Sequence, residues 1–287
     1  MAIKRLPSTG DMPRSTGIPE SVIPGGAGDS AGIPWQGRTF DHHGTAFSDD
    51  DGSTPPAFAA AIAALRDRAA AGDFAGLAHA TADAVLELSR IRLLIPLLAE
   101  AGDIGVTAEG RTVEKTQELS IVTVAGPDGR RVMPAFSSVA AMRSWNPEAR
   151  PIPVPAPQVA LAAAQESTDL IIVNPGSADL EFGVRRTQLE ALALGQWVLP
   201  AWADGEVAAA FRGALAGEPR VADVELLPGD PEARLVAPET DAVVRLASGL
   251  ARDELMQLIA WVQHRWAASD VIAARVDSLR LSPRQAV

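Results

Sequence analysis

Within fewer than fifty residues the apolar spacing of this chain passes from a helical period to a strand period, and that switch excludes an all-helical bundle and an all-β sandwich together. Pro55 and Pro56 follow Thr54, a cap residue, and open an alanine-rich stretch over 57–71 that ends near Gly72. A second helix is expected over 74–89, with Phe74, Leu77, Thr81, Val85 and Leu88 along one stripe. The run 92–99 is then continuously apolar and reads as a buried strand. Residues 119–124 alternate and are β-branched, Pro127-Asp128-Gly129 makes a turn, and 131–136 returns as the second arm of a hairpin. Ser137 or Ser138 is placed to cap a short helix. A proline-rich extended segment follows, then a helix at 157–166, strands at 170–173 and 181–184, and a helix at 187–194 stopped by Gly195.

The remainder has its own rhythm. A helix is expected at 206–215, strands at 220–227, 233–237 and 242–247, a long helix over 252–266, a short one near 271–274 and a final strand at 278–281. The expected architecture is α+β: a mixed β-sheet with packed helices, followed by a smaller ferredoxin-like α+β domain. Residues 1–53 carry five prolines and the cluster Gly25-Gly26-Ala27-Gly28 without a sustained period, and read as a flexible arm. The expected units are therefore the arm 1–53, a domain at 54–200 and a smaller domain at 204–287.

Composition removes several chemistries. There is no cysteine, so disulfides, thiolate nucleophiles and Cys-ligated zinc are excluded. The absence of tyrosine removes one class of general acid. The net charge of -11 argues against a nucleic-acid partner and against adhesion to an anionic membrane. No apolar leader follows Lys4 and Arg5, and the apolar run at 93–99 is too short to span a bilayer, so a cytoplasmic location is expected. Two lysines stand against 23 arginines, which is most simply a coding bias.

The motifs that resemble catalytic signatures fail on context. Gly28-Asp29-Ser30-Ala31-Gly32 fits the nucleophile-elbow pattern, but no strand precedes it and Pro34 follows at once. The overlapping glycines lack the strand and helix of a dinucleotide fingerprint, and no phosphate-binding loop of the Walker type occurs, so no cofactor is expected. His42 and His43 are adjacent and diverge, and Asp49-Asp50-Asp51 lacks calcium-loop spacing, so no metal is expected. No catalytic residue is assigned, and the chain is expected not to be an enzyme.

Recognition residues are more plausible. Trp35 and Arg38 lie in otherwise polar coil, where burial of the indole would anchor the arm. Arg111, Lys115, Gln117 and Glu118 concentrate charge where a loop enters a strand. Trp145, Glu148 and Arg150 occupy a proline-bounded turn. Trp261 and Trp266 on the long helix read as rim and core of the smaller domain.

Six segments in order and spacing carry a family resemblance: Ile33-Pro34-Trp35-Gln36-Gly37-Arg38, Arg92-Leu93-Leu94-Ile95-Pro96, Lys115-Thr116-Gln117-Glu118-Leu119-Ser120-Ile121, Pro134-Ala135-Phe136-Ser137-Ser138, Trp145-Asn146-Pro147-Glu148-Ala149-Arg150-Pro151 and Asp169-Leu170-Ile171-Ile172-Val173-Asn174-Pro175. They resemble the actinobacterial branch of the SseB family, named for enhanced serine sensitivity, over about 30–200, and the C-terminal part resembles more weakly the second domain of such proteins. The resemblance carries no catalytic residues. The failure of each catalytic motif on context, together with Trp35, Trp145 and Arg150 on irregular segments, points instead to a non-enzymatic regulatory protein whose partner is another protein; the family's name suggests an amino-acid sensor as the alternative, and a cryptic hydrolase ranks last. In a sensor Arg111, Lys115 and Glu118 would hold the carboxylate and amine of a zwitterion.

Overall fold

A left-handed glycine and an aspartate cap turn the first two helices back on each other. The computed structural model describes residues 47–98, 104–106, 112–114, 123–126, 129–166, 168 and 170–286. Helix α1 (Pro56–Ala71) ends at Gly72, whose φ of 66° takes the αL cap conformation. Asp73 accepts a hydrogen bond from Gly76 N at 3.0 Å and starts α2 (Phe74–Ser89). Leu77, Thr81, Val85 and Leu88 are buried as their spacing requires, whereas Phe74 lies outside the stripe and is exposed. Pro55 takes the N-cap position of α1 without a side-chain cap bond. Thr54, expected there, instead shares a hydrogen bond with the Ser137 hydroxyl at 2.8 Å.

Strand β1 (Arg92–Leu97) is buried and pairs antiparallel with the proline-rich segment, which forms a strand after β2 (Ile104–Val106), β3 (Thr112–Glu114), β4 (Val124–Ala125), β5 (Arg131–Ala135) and α3 (Val139–Trp145). Ser138 caps α3 by accepting from Ala141 N. In β6 (Arg150–Pro155) the prolines sit at 151, 153 and 155. Leu94 exchanges both backbone hydrogen bonds with Phe136, so residues 93, 95 and 97 face β6 and the three proline nitrogens lie along its outer edge. That edge offers no amide to an incoming strand at those positions.

Helix α4 (Ala156–Gln165), β7 (Leu170–Val173), β8 (Phe182–Val184) and α5 (Leu189–Leu194) complete this half. The four-stranded sheet runs β4-β5-β7-β8, with β5 and β7 parallel and the outer pairs antiparallel. Its core gathers Phe58, Leu65, Leu88, Met133, Ile171 and Phe182. β4 and β5 pair antiparallel and Gly129 takes a φ of 81°, while residues 119–122, 127 and 128 of the expected hairpin lie outside the described residues.

The second half comprises α6 (Gly205–Ala214), β9 (Val221–Pro228), β10 (Thr240–Leu246), α7 (Arg252–Ala267), α8 (Asp270–Arg275) and β11 (Leu279–Gln285). Its apolar core is separate and centres on Phe211, Val244, Leu258, Val262 and Trp266. The Trp266 indole donates to Phe211 O at 3.2 Å, and Trp261 sits at the rim under the Arg265 guanidinium. The sheet order is β11-β10-β9, and β10 and β11 are parallel direct neighbours. A ferredoxin-like unit would split its parallel pairs with an intervening strand, so the described strands do not reproduce that expected order. The architecture is α+β throughout. Among the described residues, no helix is long and apolar enough to cross a membrane.

The expected strand at 233–237 is an irregular loop instead. Ala233 and Leu235 adopt φ of 50° and 59°, values costly for residues with a Cβ and incompatible with a strand. The conformation brings Leu235 into a buried cluster with Val132, Leu170 and Ile172 of the first half. Gly183 of β8 donates to Ala233 O at 2.6 Å, and a Cβ on Gly183 would stand 2.3 Å from Leu235 Cγ. The absence of a side chain at Gly183 is what lets the loop lie against β8.

Candidate functional site

Arg185 follows β8 directly and carries its guanidinium into the seam between the two cores. Its Nη2 donates to Asp230 Oδ2 at 2.6 Å and to Ala237 O at 2.8 Å; its Nη1 donates to Asp277 Oδ2 at 3.3 Å and to the Ser278 hydroxyl at 3.2 Å. Arg130 meets the same Asp277 carboxylate through both terminal nitrogens, at 2.9 and 3.1 Å. Asp230 also accepts from the backbone of Arg234 and Leu235, which holds the clasping loop in place. Burial alone would raise the Asp277 pKa, but the hydrogen bond from Arg130 and the charges of Arg130 and Arg185 outweigh it and hold the carboxyl below its ordinary value.

Glu239 lies beside this network and is almost fully buried. Its Oε2 accepts from Asp277 N at 2.9 Å, and Ala201 N approaches Oε1 at 3.4 Å. Burial pushes its pKa up, and the Asp277 amide and the Arg185 charge only partly offset that. Glu239 lines a cleft of about 250 Å³ whose other walls come from α2, from the turn before α5, from the 196–201 segment and from the ends of α6 and α8. Thr187 lines the same cleft, and its buried hydroxyl has no hydrogen-bond partner. Such a group costs on the order of 1–3 kcal/mol when left unpaired.

The 196–201 segment is two-sided. Gln196 and Val198 face the cleft as lining residues. Between them Trp197 is 43% exposed, its indole nitrogen donates to Asp83 Oδ1 at 2.8 Å, and its ring lies 5.5 Å from that of His79. His79 in turn is tied to Ala75 O at 2.9 Å. Leu194 and Val198 extend the exposed apolar surface on either side in the chain. The indole is thus oriented by a hydrogen bond while much of its apolar face stays in water.

The residues singled out from the sequence distribute differently. Trp145 is partly buried in a small cluster with Leu94, Phe136 and Met142, and its ring is 5.3 Å from that of Phe136, which makes it an anchor of α3. Glu148 is exposed and its amide closes a turn on Asn146 Oδ1 at 2.9 Å; Arg150 is exposed at the start of β6. Trp35, Arg38, Arg111, Lys115, Gln117 and Glu118 lie outside the described residues, as do His42, His43 and the 28–32 motif. Asp50 is engaged by Arg92, whose Nε and Nη2 reach its carboxylate at 2.5 and 2.7 Å while Nη2 also donates to Ser53 O. Arg185, Asp230, Asp277, Glu239 and Trp197 carry no local motif. The one available signal for Trp197 is an indole two residues beyond the helix-stopping Gly195.

No curated protein and no solved structure matches the chain. Residues 192–286, which include the second core, lie outside the span that a family model matches. Residues 59–191, which hold most of the first core and Arg185, match the model described as the SseB protein N-terminal domain.

Proposed function

We propose that this is a non-enzymatic cytoplasmic protein that acts by binding another protein, in a regulatory role, through the surface carrying Trp197. The observation that carries the reading is an indole fixed at one end by Asp83, set beside His79 and still 43% exposed, flanked in sequence by exposed Leu194 and Val198. A rigid aromatic with exposed apolar area loses little entropy on docking and gains much from desolvation, which is why tryptophan dominates the energetics of protein interfaces. The buried ionisable groups support a structural role for the seam: Arg185, Arg130, Asp230 and Asp277 satisfy one another and leave no nucleophile or base among them. Exposed Glu148 and Arg150 are candidate polar contacts on a separate turn.

A photo-crosslinking amino acid placed at Leu194, in cells expressing the full chain, tests this reading. A discrete crosslinked protein species is expected, and it should weaken sharply when Trp197→Ala is introduced in the same chain. Crosslinking that is absent, or equally strong without the indole, contradicts it.

A further inference from the structure

We propose that the cleft beside Glu239 is a binding site for a small organic cation, a protonated amine on a compact apolar body. This goes beyond the protein-recognition reading and does not depend on it, since Trp197 does not line the cleft.

Three observations converge. The cleft holds about 250 Å³, enough for a molecule of several non-hydrogen atoms, and Val85, Ala191, Val198 and Val207 supply apolar wall. The charged groups in its lining are Glu190, Asp204, Glu239 and Arg275. Arg275 is already engaged by the carboxylates of Asp204 and Glu206, and Asp204 is also the cap of α6, accepting from Glu206 N and Val207 N. What remains is acidic: Glu239 at the wall and Glu190, exposed, at the rim. An anionic ligand would meet Glu239 with the one lining guanidinium already committed, whereas an ammonium group would supply the countercharge that a buried carboxylate requires. Thirdly, Thr187 lines the cleft, and its hydroxyl, closed off from solvent and without a partner, reaches the cleft by a rotation about χ1 and can then accept one ammonium proton. Burial raises the Glu239 pKa in the absence of such a cation.

The test uses three probes of one shape on the full chain: isopentylammonium, isopentanol and 4-methylpentanoate, followed by calorimetry and by methyl NMR. The expected result is saturable binding of the ammonium probe at least tenfold tighter than of the alcohol or the carboxylate, with shifts centred on Thr187, Ala191 and Val207. Glu239→Gln should weaken the ammonium probe at least tenfold. Thr187→Val, which keeps the shape, should weaken it severalfold and serves if Glu239→Gln does not fold. No saturable binding, equal binding of alcohol and ammonium, or shifts that avoid the cleft would overturn the proposal.

Discussion

Arg185 and Asp277 stand 92 positions apart in the chain and meet at 3.3 Å with side chains 5% and 0% exposed. A charge pair so fully removed from water stabilises only because each partner has further bonds: Asp230, Ala237 O and Ser278 for the arginine, Arg130 and Ser278 for the aspartate. Removing one partner strands the other. Arg185→Met should therefore cost about 3–5 kcal/mol of stability, as measured by denaturant unfolding. A double-mutant cycle with Asp277→Asn should give a coupling of about 1–3 kcal/mol. Additive effects would show that the two residues do not act together.

Two of the buried carboxyls of the seam, Asp277 and Glu239, push the pH dependence of stability in opposite directions. Asp277 is held below its ordinary value of 3.8, so its contribution is present above that value and is lost as pH falls through its lower folded value. Glu239 is raised above its ordinary 4.5, so the stability linked to its protonation is present below 4.5 and is lost as pH rises through its folded value. Glu239→Gln should accordingly flatten the decline in stability on the alkaline side of pH 4.5 and leave the acid limb intact. Asp277→Asn should do the reverse. Thermal unfolding across pH 3–8 reads both, and identical profiles for wild type and Glu239→Gln would contradict the assignment.

Gly183 and Leu235 form a steric pair in which one side chain occupies the space the other lacks. Gly183→Ala should destabilise by about 1–3 kcal/mol through overpacking. The same substitution in a Leu235→Ala background should cost much less, although Leu235→Ala is itself expensive at about 2–5 kcal/mol. Equal cost in both backgrounds would mean that the clasping loop does not press on β8.

Much of this fold follows from local physics. The apolar stripe of α2, the Gly72 and Gly195 stops, the Ser138 cap and the buried strands β1 and β7 are all set by residues within a few positions of where they act. The departures have nonlocal causes. The 233–237 loop has strand-like composition, but Asp230 captures its backbone amides and Leu235 turns to join the first half's cluster. The proline-rich 150–155 segment forms a strand because its prolines fall on the outward positions, a matter of register with β1. Arg185 and Glu239 give no local sign of their roles, since each is defined by partners from distant elements. Trp145 reads as a recognition residue in its turn, yet Phe136 brings it into the structure, while Trp197 lies between two helices with its face open.

The claim that Trp197 is the recognition anchor is tested most directly by the affinity of the crosslinked partner, once purified, for the wild-type chain and for Trp197→Ala, with Arg150→Ala as comparison. Truncating a central aromatic anchor costs about 2 kcal/mol or more, equivalent to at least a tenfold loss. The account predicts such a loss for Trp197→Ala with unfolding behaviour unchanged, and a smaller effect for Arg150→Ala. An affinity that Trp197→Ala leaves unaltered would contradict it.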